Sequence, residues 1–296
     1  MIVVRLKGGL GNQMFQYALG RVLSIKNNVP LLFNIEAYMD QTPRPFKTSM
    51  PARELQLDVF NISGRIASKN EIPLLYRMYG KGRLMLIIDA VRRRIFRHKA
   101  QELYFEKFNP CMLQLGPNSY IDGFFQSPKY FVGFEDVLRK DFTSKNNLSQ
   151  NIQELAKEIL NSESLCLHVR RGDFIGNKDH EVVNNYYYKN GIDYVSKNKK
   201  IDKIYVFSDD IKWCENNFKF DLPAMFVGDE YLGMKDTGHL FLMSQCKNFV
   251  ISNSSFSWWS VWLSNNKEKM VVAPKNWFTD TSIDTSDLIP NEWIRL

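Results

Sequence analysis

The sequence predicts an α/β protein with parallel, doubly wound sheets in two Rossmann-like halves, and three observations carry that expectation. Over 151–274, short β-rich runs alternate regularly with helical segments. At the N-terminus a β-branched run, IVVRL (2–6), ends at KGGLGNQ and is followed by a helical face of Met14, Ala18, Val22 and Ile25. The length, 296 residues, suits about two domains at roughly 150 residues each. Two such halves, each opening with its own strand, place a cleft between them, and ligands of these folds bind outside the carboxyl ends of the strands.

Taken in order, IVVRL is the first strand, the glycines form a loop, and a helix runs from Met14 to Ile25. PLLFNI (30–35) is the next strand. The pattern weakens from about 40 to 110, where Pro43, Pro45, Pro51 and Pro73 interrupt it. Within that stretch KGRLMLIIDAVRRRIFRHK (81–99) reads as a basic, partly amphipathic helix. NSYIDGFFQSPKYF (118–131) reads as a strand and a glycine-bearing loop. Polar residues peak at SKNNLSQN (144–151), which sets the expected boundary: an N-terminal domain over 1–150 and a C-terminal domain over 151–296. Beyond it, helices at 152–160, 186–197, 211–218, 239–246 and 255–264 alternate with strands at 164–169, 203–208, 223–228, 248–252 and 270–274. Trp258 and Trp262, four apart on the last helix, are expected in the core.

Composition is that of a globular chain, 44% hydrophobic and 24% charged, with a net charge of +7. A basic balance suits an anionic partner. No recognisable nucleic-acid module accompanies it, so no nucleic-acid partner is expected. The segment 81–99 could lie against anionic lipid, although a solvated basic face is the commoner use of such a helix. Cysteines at 111, 166, 214 and 246 form no CxxC pair and the four histidines are scattered, so reduced thiols and no metal cluster are expected. The N-terminus lacks the pattern of a secretory leader, and no apolar run approaches a membrane span. A cytoplasmic location, peripheral to the inner membrane face at most, follows as an expectation.

Four stretches concentrate the chemistry, and each has a plainer alternative. GGLGNQ (8–13) follows a strand and precedes a helix, so its backbone can approach an anion closely, with Asn12 and Gln13 adding side-chain donors. The alternative is a tight turn with packing glycines. HVRRGDF (168–174) puts His168 and Arg170 on one face at the carboxyl end of a strand, where a planar guanidinium can hold a diphosphate. Two adjacent arginines also require a counter-charge, and a surface pair of Arg171 with Asp173 is the plainer account. In VFSDD (206–210), Asp209 and Asp210 could hold a metal or a ribose diol, or one could cap the following helix. In ISNSSFSWW (251–259), Ser254 or Ser255 is a good N-cap, and a run of backbone donors there could instead cradle an anion.

Together these stretches resemble the α-1,2-fucosyltransferases of glycosyltransferase family 11. GGLGNQMFQYA (8–18), HVRRGDF (168–174), FSDD (207–210), LMSQCKN (242–248) and SNSSFSWWSVWL (252–263) fall in that family's order, and the likeness runs from residue 2 to about 278. It implies a GT-B-like fold, two Rossmann-like domains facing a cleft, with the acceptor on the N-terminal domain and GDP-β-L-fucose on the C-terminal one. It implies transfer to O2 of a terminal β-galactose with inversion, and no metal or other cofactor. By position it assigns Arg170 to the donor diphosphate, His168 to the nucleoside, Ser254 and Ser255 to phosphate, and Gly11 and Asn12 to the diphosphate or sugar. Asp209 joins the donor side. Asp122, Phe124 and Gln126 are acceptor candidates, within the weakly patterned stretches 36–60 and 120–130. Asp173, the carboxylate nearest the arginines, is the candidate base; it could instead orient Arg171, with the proton passing to the leaving diphosphate. One departure is His239, where the family pattern calls for an acidic residue against guanine. A metal-dependent GT-A-type transferase, resting on Asp209 and Asp210, and a non-catalytic nucleotide-sugar or glycan-binding module are the competing classes.

Overall fold

A computed structural model describes residues 1–39, 53–72, 107–176 and 182–296, without the side chain of Asp173. The basic segment 81–99 and part of the acceptor stretch, 40–52, lie outside the described residues. The chain divides into two compact units, the second starting at Thr143 and running to Leu296.

The first unit is built on a parallel sheet of β1 (Ile2–Arg5), β2 (Leu31–Asn34), β3 (Arg65–Ile66) and β4 (Ser119–Ile121), in the order β3-β2-β1-β4. Ile2 stands opposite Leu31 on one side and Ser119 on the other. Helix α1 (Leu10–Asn27) packs its buried Met14, Ala18 and Val22 on this sheet. The short α2 (Glu36–Met39) and α3 (Glu135–Asp141) complete the regular elements among the described residues. Helix α1 starts four residues earlier than the apolar periodicity suggests. Gly9 takes an extended N-cap conformation and its carbonyl accepts the N–H groups of Asn12 and Gln13. Gly11 and Asn12 therefore stand in the first helical turn, and only Gly8 and Gly9 form the loop. At the other end Asn28 adopts a left-handed conformation that closes the helix. Asp141 ties α3 to α1, accepting from the Tyr17 hydroxyl at 2.6 Å and the Arg21 Nε at 2.9 Å.

The second unit is the regular one. Its elements are α4 (Gln150–Asn161), β5 (Ser164–Val169), α5 (Asn185–Asn198), β6 (Lys203–Ser208), α6 (Ile211–Asn217), β7 (Ala224–Phe226), α7 (Thr237–Gln245), β8 (Asn248–Val250), α8 (Ser255–Leu263), β9 (Val271–Ala273) and β10 (Ile294–Arg295). The strands form a parallel sheet in the order β10-β9-β8-β5-β6-β7. Strand β5 is central and buried along its whole length, which is why SLCLHV reads as a near-continuous apolar run rather than an alternation. Leu165, Leu167 and Val169 pack with Tyr187, Tyr188 and Val195 of α5 and Cys214 of α6. Residues of the opposite parity, His168 and Phe207, meet Phe256 of α8 and His239 of α7.

Trp258 is buried, as expected, but its buried companion is Trp259 rather than Trp262, which is half-buried. The Trp258 indole donates to the Leu288 carbonyl at 2.8 Å, so the C-terminal segment covers that face of α8. All four cysteines are unbridged, and only Cys111 is exposed. Among the described residues no helix is long and apolar enough to cross a membrane. The strands β3 and β10 are two residues each, too short for any periodicity to announce them.

Gly20 shows how closely α1 sits on the sheet: a Cβ there would lie 2.3 Å from Val4 Cγ2. A side chain at a helical glycine gains up to about 1 kcal/mol in propensity, while overpacking a core costs roughly 1–3 kcal/mol. Overpacking should win. We expect Gly20→Val to be less stable by about 1–3 kcal/mol in urea denaturation; unchanged stability would mean that α1 sits further from β1 than described.

Candidate active site

In the second unit the chain winds outward from β5 in both directions, so the topological switch point lies between β5 and β8. Ligands of open parallel sheets bind outside the carboxyl ends of the strands at that place. His168 of β5 and Ser252, just past β8, meet there: His168 Nδ1 and Ser252 Oγ share a hydrogen bond of 2.9 Å. Both residues are buried. Burial, together with the charge of Arg170 and the neighbouring His239, pushes the His168 pKa down to about 3. The imidazole is therefore neutral at physiological pH. His239 is also buried and its pKa is lowered, chiefly by burial. Its Nε2 lies 3.0 Å from the Gly228 carbonyl, so Nε2 carries the hydrogen and Nδ1 is left as an acceptor.

The adjacent arginines resolve in an orderly way. Strand register pairs Val169 with Ser208, so Arg170 and Arg171 follow β5 where Asp209 and Asp210 follow β6. Arg170 Nη1 reaches Asp209 Oδ2 at 3.1 Å, and Arg171 Nε reaches Asp210 Oδ2 at 3.4 Å. Asp209 Oδ1 also accepts the Arg171 backbone N–H at 2.9 Å. The Arg171 guanidinium lies 3.5 Å from the Trp213 ring centroid, an intimate cation–π contact. Both guanidinium groups are thus held by the protein, and both side chains stay partly exposed at the strand end. Asp210 N-caps α6, accepting from the Trp213 N–H at 3.2 Å. Among the described side chains the ionic partner of Arg171 is Asp210; the pair with Asp173 considered from the sequence lies outside the described residues. Asp173 lies in the short 3-10 turn Gly172–Phe174, and its side chain is outside the described part of the structure. A Cβ at Gly172 would sit 2.5 Å from Asp209 Oδ2, so a side chain there would displace the carboxylate that holds Arg170. Among the described residues no group of three His, Cys, Asp or Glu side chains could hold a metal ion.

Ser254 occupies the N-cap position of α8, but its side chain makes no capping hydrogen bond. Its N–H turns back to the Ser252 carbonyl at 2.8 Å, and Ser255 opens the helix. The Asn253 amide donates to the Trp277 carbonyl at 2.9 Å and fixes the turn. The start of α8 is thus brought to the same strand ends as His168.

The first unit has its own switch point, between β1 and β4. Asp122, just past β4, is buried and receives Arg5 Nη1 at 3.2 Å and Lys7 Nζ at 2.9 Å. Burial pushes its pKa up, but the two cations outweigh that and hold it below the usual carboxylate range. Lys7 beside it is partly exposed, with its ammonium 4.7 Å from the Phe124 ring centroid. Gln126 Nε2 donates to Asn12 Oδ1 at 2.6 Å, which brings two more of the expected residues together. Gln13 is fully employed inside the fold, donating to the Gly8 and Glu54 carbonyls and accepting from the Gln56 and Leu57 N–H groups. The donor role considered for its side chain is therefore withdrawn.

Trp213, Ser252 and Lys7 carry structural duties at these sites that the sequence did not single out. Asp210 at an N-cap signalled a helix start, but nothing in the linear order signalled a guanidinium stacked on Trp213.

His168 and His239 must become charged in the unfolded chain before they do so in the native one. A histidine whose native pKa lies below its unfolded value near 6.5 stabilises the fold above that pH and loses its contribution as pH falls. We expect native stability to fall as pH drops from about 6.5 toward 3, and His168→Gln to show a shallower decline. Denaturation midpoints measured from pH 7 to pH 4 check this, and identical slopes would contradict a buried neutral His168.

Comparison with known proteins matches these features to one family. The model of glycosyl transferase family 11 matches residues 96–296. An alpha-1,2-colitosyltransferase of Escherichia coli is 31% identical over 100% of this chain and 99% of its own length. The O-antigen biosynthesis glycosyltransferase WbnK of Escherichia coli is 32% identical over 98% of this chain and 99% of its own. A galactoside 2-alpha-L-fucosyltransferase of Caenorhabditis elegans is 26% identical over 91% of this chain and 71% of its own. Among solved structures, the fucosyltransferase NodZ of Bradyrhizobium aligns with a TM-score of 0.51 at 12% identity, covering 88% of this chain and 90% of that one. That likeness bears on the fold, which is of the GT-B type. With two parallel α/β units, an arginine and a neutral histidine at the second switch point, and this family match, the chain belongs to glycosyl transferase family 11.

Proposed function

We propose that the chain transfers L-fucose from GDP-β-L-fucose to O2 of a terminal β-galactoside with inversion at the anomeric carbon. One observation carries the reading: at the second switch point a partly exposed Arg170, oriented by Asp209, stands next to a neutral His168 and the start of α8. Breaking the bond between the sugar carbon and the phosphate oxygen leaves the electron pair on the diphosphate, and negative charge grows there. Arg170 meets that charge through its planar fork. Ser254 and Ser255 are assigned to the phosphate from the start of α8, a helix N-terminus. His168 supports the nucleoside by hydrogen bonding without adding a second cation beside Arg170. Gly11 and Asn12 are assigned to the donor as well. The acceptor is assigned to the first unit, through Phe124 and Gln126 directly and through Asp122 by way of Lys7. The acceptor hydroxyl loses its proton as the new carbon–oxygen bond forms, and Asp173 is assigned to take it.

The mechanism proposed uses no metal ion. The aspartates that a metal-dependent transferase would use are occupied, Asp209 with Arg170 and the Arg171 backbone and Asp210 with Arg171 and the start of α6. We assign the enzyme to the cytoplasm, with 81–99 as a candidate contact to an anionic membrane surface. The name of the 31% identical relative favours a second donor, a colitosyl nucleotide with the same α-1,2 linkage.

The test is transfer by the purified protein in excess chelator, with GDP-fucose or the colitosyl donor and a panel of β-galactosides, the linkage being read by NMR. Loss of activity in chelator, or a linkage other than to O2, would overturn the proposal. Removing one group that stabilises a developing anion costs about 10²–10³ in turnover. We expect Arg170→Ala to lose at least about 10²-fold in transfer while its melting temperature is retained. Near-normal turnover in a folded Arg170→Ala protein would remove the arginine from the reaction.

A further inference from the structure

We infer that His239 meets the nucleobase of the donor with a single acceptor nitrogen, so that the protein binds inosine diphosphate (IDP) nearly as well as GDP. The inference rests on the proposed GDP-linked donor and concerns how narrowly its base is selected. Position is the first argument. Helix α7 opens at Thr237, after the loop that leaves the carboxyl end of β7, so His239 stands in its first turn at the same end of the sheet as His168. His168 of β5 and Phe207 of β6 lie opposite each other in register. The Phe207 ring meets the His239 ring edge to face with centroids 5.5 Å apart, and the Phe256 ring lies 6.1 Å from His168. Two imidazoles and two phenyl rings thus share one side of the sheet end, opposite the cavity that Arg170, Tyr188 and Trp213 border.

Unspent atoms are the second argument. Both histidines are 5% exposed, and each has one ring nitrogen engaged by the protein, His168 Nδ1 with Ser252 Oγ and His239 Nε2 with the Gly228 carbonyl. Among the described residues the protein supplies no partner for His168 Nε2 or His239 Nδ1. Neither atom belongs to the polar atoms sealed in the interior without a partner. Two nitrogens are thus open to a ligand where the nucleoside is assigned.

Counting donors and acceptors is the third argument. Guanine carries two donors side by side, N1–H and the 2-amino group. A carboxylate meets such a pair with its two oxygens. His239 has spent its N–H on Gly228, so Nδ1 accepts from one donor and carries no charge to offer a second. Hypoxanthine lacks the 2-amino group but keeps N1–H, and so loses nothing that this acceptor needs. Burial lowers the His239 pKa, against the Gly228 carbonyl and the nearby carboxylates of Asp236, Asp229 and Glu230. Those carboxylates are the rival readers of the amino group.

The test is calorimetric affinity for GDP, IDP, 1-methylguanosine diphosphate and ADP, on the unaltered protein and on His239→Asp. We expect the unaltered protein to bind GDP and IDP within about fivefold of each other, and the 1-methyl analogue, whose N1 donor is blocked, at least about tenfold more weakly than GDP. His239→Asp restores a two-oxygen acceptor, and its preference for GDP over IDP should rise by about tenfold or more. If His239→Asp does not fold, the nucleotide series on the unaltered protein decides. The inference is overturned if IDP binds more than about fivefold more weakly than GDP, since another group, such as Asp229, would then read the amino group. It is equally overturned if the 1-methyl analogue binds as well as GDP, or if folded His239→Asp keeps the unaltered ratio, since His239 would then serve the core alone. Binding of ADP without binding of GDP would overturn the donor reading itself, and the inference with it.

Discussion

The register between β5 and β6 sets two arginines at the end of one strand against two aspartates at the end of the next. Val169 opposite Ser208 makes the four charged residues meet just beyond the sheet. All four side chains are partly exposed, and pairs of that kind contribute only about 0–1 kcal/mol to stability. Their effect is therefore geometric. Asp209 binds both the Arg170 guanidinium and the backbone of Arg171, while Asp210 and Trp213 draw the Arg171 side chain away. Without that division the two guanidinium groups would repel each other over the same patch. With it, each has its own counter-charge and both remain partly exposed. Gly172 permits the arrangement, because any side chain there would meet the Asp209 carboxylate.

The first unit uses ion pairing to a different end. Asp122 is 2% exposed and its oxygens are taken by Arg5 and Lys7. Breaking a buried pair by removing one partner typically costs about 3–5 kcal/mol, so this cluster belongs to the integrity of the sheet's end. It also presents Lys7 and Phe124 at the surface. The two units thus share a topology, a parallel sheet with a switch point, yet place charge there under different exposure and so to different effect.

Neutral histidine at the second switch point follows from burial. His168 lies beneath Arg170, and a second positive charge there would be both desolvated and repelled. The His168 ring is left as a hydrogen-bonding group whose orientation Ser252 fixes. His239 is locked by the Gly228 carbonyl and offers an acceptor nitrogen where a carboxylate was anticipated. One acceptor replaces two, with no negative charge, a real chemical difference at a position near the ligand end of the sheet.

Alternation of apolar runs and helices over 151–274 determined the second unit's parallel sheet, because its buried strands are short, mostly apolar runs set between helical segments. The motif arginines, His168, the aspartate pair and the serine turn were legible for the same reason: each stands directly at a strand end, where sequence order alone implies exposure to a ligand. Less of the first unit was legible, since β3 is two exposed residues and α1 begins inside a glycine run that apolar periodicity skips. Only tertiary structure decided which aspartate pairs with which arginine, that Gln13 is spent on the fold, that Asp122 is sealed by two cations, and that a cavity opens beside Arg170. Those outcomes depend on residues tens of positions apart, Trp213 over Arg171 or Gln126 on Asn12. Strand register and helix packing bring such partners within hydrogen-bonding distance, and a linear pattern carries no record of either.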